Sequence, residues 1–74
     1  MRTCYFIMET VTDKNGNYIP CIAVEGEQGY QRTDWQWGKD LKLARECADD
    51  MNKKMGLSKQ EAMIIQLRSM RKVK

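Results

Sequence analysis

The segment Asp13-Lys14-Asn15-Gly16-Asn17 constrains the fold more than any other part of the chain, because it separates two stretches of strand-like composition. Residues 3–12 hold Tyr5, Phe6, Ile7, Val11 and three threonines, and residues 18–25 read YIPCIAVE. β-Branched and aromatic side chains of this kind suit a pleated, half-buried surface better than a helix. Asn-Gly accepts positive φ at both central positions of a type I′ turn, so an antiparallel hairpin is expected. With Asn15 and Gly16 as the two loop residues, Thr10 lies opposite Cys21 and Cys4 lies near Glu27, and a one-residue change in loop length would move that register. Pro20 has no N–H to donate to a ladder, so its position should face an open edge or a bulge. Strand one carries Tyr5, Ile7 and Val11 on one side and Cys4, Phe6 and Met8 on the other. Both hairpin faces are therefore apolar, and a two-layer domain covers only one of them.

Residues 26–34, GEQGYQRTD, allow either a turn and a short third strand from Tyr30 to Thr33, or a plain loop. From Lys39 the period changes: Trp37, Leu41, Ala44, Ala48, Met51 and Met55 recur at steps of three and four residues, with Cys47 beside them. This predicts an amphipathic helix that Gly56 ends in a left-handed cap. Ser58 and Glu61 form a Ser-x-x-Glu capping box, and Leu57 can pack on Ala62 as a hydrophobic staple, so a second helix starts there. Met63, Ile64, Leu67 and Met70 read as its apolar stripe, with Ile65 off the stripe. Strands followed by helices predict an α+β domain over residues 1–74: an antiparallel hairpin or three-stranded sheet, with two helices packed on one sheet face.

At 74 residues a single core leaves little stability to spare, and a homodimer is one remedy. The apolar runs are too short to span a bilayer or to form a signal-peptide core, so no membrane partner and a cytoplasmic location are expected. Cys4, Cys21 and Cys47 form no Cys-x-x-Cys pair and the chain has no histidine, which argues against a zinc site and favours buried, reduced thiols. No cofactor is expected. The acids Glu9, Glu46, Asp49 and Asp50 are scattered, and adjacent Asp49 and Asp50 point about 100° apart on a helix, so they make no carboxylate dyad. A non-enzymatic protein is the expectation.

Charge divides the chain. Residues 1–37 carry three Lys or Arg against five Asp or Glu, whereas residues 38–74 carry ten against five. Arg68, Arg71, Lys72 and Lys74 complement the negative end of the second helix dipole and are the candidate nucleic-acid contacts. Six methionines, four of them on the helical stripes, suit either core filling or an adaptable binding groove. Of the two tryptophans in TDWQWGKD, Trp37 is in step with Leu41 and Ala44 and should pack inward. Trp35 either caps the sheet edge or joins Tyr30 and Arg32 as a partner-binding cluster.

Asn15, Gly16, Pro20, Trp37, Gly38, Asp40, Ala44, Asn52, Met55, Gly56, Leu57, Ser58, Ser69, Met70 and Arg71 together resemble small uncharacterised proteins of phages, prophages and mobile elements of Firmicutes. These residues are structural punctuation rather than catalytic motifs. The resemblance implies a genomic setting that includes anti-CRISPR and other anti-defence inhibitors. It implies a binding protein that blocks a host protein, or a protein and nucleic-acid complex, by contact. Two alternatives stand beside it: a nucleic-acid-binding accessory or regulatory protein, and a self-assembling structural protein.

Overall fold

The computed structural model describes residues 2–70. Strands β1 (Thr3–Phe6), β2 (Cys21–Val24) and β3 (Gln31–Arg32) form an antiparallel sheet in the order β1-β2-β3. Helices α1 (Leu41–Lys54) and α2 (Lys59–Met70) follow and pack against it, giving an α+β fold. The third strand is confined to two residues.

The hairpin forms with a different turn and register from those expected. Thr12 bridges Tyr18, Asp13 N donates to Asn17 O at 2.9 Å, and Gly16 N donates to Asp13 O at 3.1 Å. Gly16 has φ of 86° while Asn15 keeps negative φ, which rules out a type I′ turn. The Asp13 carboxylate is the reason: it accepts from Asn15 N at 2.8 Å and Asn17 N at 2.9 Å, and Asn17 Nδ2 lies 3.1 Å away. Asn17 above all holds this carboxyl below its usual range. Below the tip, strand one turns on itself, with Val11 N donating to Met8 O at 3.1 Å. Five residues therefore lie between Phe6 and Thr12 where two lie between Tyr18 and Cys21. Cys21 consequently faces Phe6 rather than Thr10, and Cys4 faces Ala23 rather than Glu27. Pro20 is fully buried at this change of register, and its carbonyl accepts from Thr33 N at 3.0 Å and Thr33 Oγ1 at 2.8 Å.

Cys4, Phe6, Cys21 and Ala23 form the buried sheet face, packed with Leu57, Ala62 and Ile65 from α2 and the turn before it. Small side chains at three of those four sheet positions let α2 lie close to the strands. A second cluster joins Ile7 to Ala44 and Ala48 of α1. Burying each of Phe6, Ile7, Leu57 and Ile65 is worth about 1.5–3 kcal/mol. Between the clusters, Asn52 of α1 binds the backbone of Tyr5 on β1.

The helix ends follow the sequence signals. Asp40 caps α1, accepting from Lys42 N at 3.0 Å and Leu43 N at 3.2 Å. At the other end Gly56 has φ of 84°, with Gly56 N bonded to Lys53 O at 3.0 Å and Leu57 N to Asn52 O at 2.9 Å. That pair of bonds is a Schellman motif, which needs the left-handed residue glycine supplies. The capping box is complete: Glu61 N donates to Ser58 Oγ, and Ser58 N donates to Glu61 Oε1, both at 3.1 Å. Leu57 and Ala62 meet in one cluster, as the staple requires.

Candidate functional site

The segment after β3 returns to the hairpin through two backbone bonds, Trp37 N to Tyr18 O at 2.9 Å and Tyr18 N to Gly38 O at 2.8 Å. These place Trp37 half-buried beside Ile7, Leu41 and Ala44. Trp35 stacks on Trp37, with centroids 6.2 Å apart and planes at 16°, and lies over Tyr5 at 5.5 Å. It nevertheless stays 45% exposed. Trp35 thus covers part of the sheet face opposite α2. Tyr30 meets Phe6 edge to face at 5.5 Å. Tyr5 and Phe6 are neighbours on one strand and point to opposite faces, so Tyr30 and Trp35 sit on opposite sides of the sheet. Arg32 joins Trp35 in lining a shallow depression with Ile19 and Asp34. Of the three sequence candidates, two are brought together and Tyr30 stands apart.

Among the C-terminal cations, Arg68 lies in the last turn of α2, while Arg71, Lys72 and Lys74 lie outside the described residues. The end of α2 is tied to the loop between β2 and β3 by Gly29 N donating to Ser69 O at 2.7 Å. Its beginning is tied to the sheet by Arg2, whose guanidinium bonds both Glu25, at 2.7 Å, and Glu61. Glu25 above all, then Glu61, raises the Arg2 pKa further above its ordinary value. The Ser58 backbone N–H, the Ser58 hydroxyl and Arg2 in turn hold the Glu61 carboxyl low.

These ties turn α2 to a face other than the expected one. Ile65 is buried at 3% exposure, with Ala62 and Ser69 beside it, while Met63, Ile64 and Leu67 are 54%, 52% and 60% exposed. Ala62-Met63-Ile64-Ile65 is a run of four apolar residues that covers the whole helix circumference, so periodicity alone cannot choose the inward side. The capping box, Leu57 in the core and the Ser69 carbonyl choose it. On α1, Asn52 takes a buried place and Met55 points outward. Cys47 is also exposed, against the expectation of three buried thiols, while Cys4 and Cys21 are buried and burial pushes both thiols up.

A groove of about 640 Å³ runs between α1 and α2. Phe6, Ile7, Ala48 and Ala62 form its floor where the two clusters meet, and Met63 stands on its α2 rim. The charged rim holds Lys42, Arg45, Glu46, Asp49 and Lys59, with Lys59 Nζ 4.0 Å from Asp49 Oδ2. The groove thus has an apolar floor inside a charged rim. Sequence reasoning reached this surface only through the alternative of a methionine-lined groove, because it read Met63, Ile64, Leu67 and Met70 as the apolar stripe of α2. The run Ala62 to Ile65 carries no local signal for the rotation of α2. Among the described residues no group of three or more His, Cys, Asp or Glu could hold a metal ion, and no helix is long and apolar enough to cross a membrane. Comparison with protein-family models, with curated proteins and with solved structures found no match for this chain.

Proposed function

We propose that the chain is a protein-binding module that acts by occupying a partner's surface, with the exposed side of α2 and the adjoining groove as its contact area. The observation that carries this reading is the exposure of Met63, Ile64 and Leu67, each more than half exposed on α2, with Met63 standing on the rim of the groove between α1 and α2. Large apolar side chains grouped on one side of a helix are costly to leave in water, and such patches commonly mark interaction sites. The resemblance to phage and mobile-element proteins supports a host defence protein as partner, a CRISPR nuclease or similar effector, inhibited by contact in the host cytoplasm. Mixed charge on the rim favours a protein surface over a bare phosphate backbone, since Glu46 and Asp49 stand among the cations.

The test is to express the chain in a Firmicute host that carries an active CRISPR nuclease and to count plaques of a targeted phage. Plaquing should rise by at least a hundredfold, and the purified chain should form a stoichiometric complex with the purified effector that survives nuclease treatment. Unchanged plaquing against each defence system tried, with no complex, would contradict the reading.

A further inference from the structure

Resting on that reading, we infer that the groove between α1 and α2 receives an acidic amphipathic helix of the partner, about three turns long. The α1 wall runs from Leu41 to Asn52, eleven helical steps or about 16 Å, which is the length of three turns of a docked helix. The floor offers Phe6 and Ile7 where the two core clusters meet, so the occupant turns an apolar side toward it. Leu41 to Asn52 of α1 and Lys59 to Gln66 of α2 wall the channel on its two sides, and on α2 the exposed apolar side chains run on from Met63 to Ile64 and Leu67. That run extends past what a compact small molecule would cover.

Charge selects the occupant's sign. At the end of the groove near the interhelical turn, Lys59 and Asp49 are partners at 4.0 Å. Toward the start of α1 the rim carries Lys42 and Arg45 against Glu46. The balance there is cationic, and acids on the flank of an incoming helix meet it. A second copy of this chain is a poorer occupant, because α2 carries Lys59 and Arg68 and its Glu61 is held by Arg2.

The experiment uses the full chain and three synthetic probes of fourteen residues. One is a helical peptide with leucines at i, i+4 and i+7 and glutamates on its flanks; one has lysines in place of the glutamates; one has the first composition in scrambled order. The glutamate peptide should bind at least tenfold more tightly than either control, with NMR shift changes at Arg45, Ala48 and Met63. The exposed-site variant K42E/R45E should reverse the preference toward the lysine peptide. Equal binding of the three peptides, or shift changes centred on Trp35 or Tyr30, would overturn the proposal. Anionic phospholipid vesicles serve as a further arm: vesicle binding that competes with the glutamate peptide, without a preference between peptides, would assign the surface to a membrane and overturn it too. Failure of the peptides while Ile64→Glu still abolishes the block on the defence effector rejects the acidic helix alone. Survival of that block in Ile64→Glu and Leu67→Glu rejects the underlying reading.

Discussion

The side-chain amide of Asn52 pairs with the backbone of Tyr5 as a neighbouring strand would, with Tyr5 N donating to Asn52 Oδ1 at 2.7 Å and Asn52 Nδ2 donating to Tyr5 O at 2.9 Å. β1 is an edge strand, and the two groups of Tyr5 that face away from β2 would otherwise need water or another chain. α1 closes that edge with one side chain and at the same residue accepts Leu57 N in its own C-terminal cap. Asn52→Ala leaves a part-buried N–H and C=O without partners and should cost about 2–4 kcal/mol in denaturant unfolding. A change below about 0.5 kcal/mol would mean that water replaces the amide at no loss.

The two tryptophans should separate in the same assay. Trp37→Ala removes a half-buried ring from the cluster around Ile7 and Ala44 and should cost about 3 kcal/mol. Trp35→Ala loses mainly its stacking on Tyr5 and Trp37 and should cost about 1–2 kcal/mol. Equal losses would place Trp35 in the core.

The hairpin itself and the helix punctuation at Gly56 and Ser58 were legible in the sequence, because the helix signals rest on local bonds, Asn52 to Leu57 and Ser58 to Glu61, whereas the Asp13-centred turn took the place of the expected Asn-Gly turn. Register and helix rotation were not. The excursion at Met8 to Val11 that sets Cys21 opposite Phe6 leaves no local signature, and four consecutive apolar residues hide which side of α2 faces inward. Each is accompanied by bonds between residues distant in sequence, Thr33 to Pro20 and Gly29 to Ser69, alongside the capping box and Leu57 for α2. The candidate surface was legible only as the alternative of a methionine-lined groove, since Met63, Ile64 and Leu67 were read as the apolar stripe of α2.

Capping supplies an independent check on where α2 begins. Ser58→Ala removes the acceptor for Glu61 N and should lower stability by about 1 kcal/mol, whereas Ser58→Asp should retain most of it. Calorimetric melting of the two variants distinguishes them, and equal losses would show that the hydroxyl bond is not what matters.

Acid should destabilise the fold through Glu25 and Glu61. Arg2 holds the first carboxyl below its ordinary range, and Ser58 with Arg2 the second. Their folded pKa values are lower than their unfolded ones, so their contribution is complete above about pH 4.3 and is lost as pH falls through the depressed folded values. Glu25→Gln and Glu61→Gln should flatten the fall in melting temperature below that pH. An unchanged slope in the double variant would assign the acid limb to other carboxylates.

The rotation of α2 makes a sharper prediction about its two sides. Ile65→Ala should cost about 2–4 kcal/mol by opening a cavity against Cys4 and Phe6, while Ile64→Ala should stay within about 0.5 kcal/mol. The reverse order would restore the stripe expected from periodicity.

The most direct measurement pairs stability with binding in the double variant I64E/L67E. Its melting temperature should lie within a few degrees of the parent, since both side chains are more than half exposed, and its complex with the defence effector should be lost. A variant that unfolds, or one that folds and keeps the complex, would contradict the assignment of this side of α2 as the binding surface.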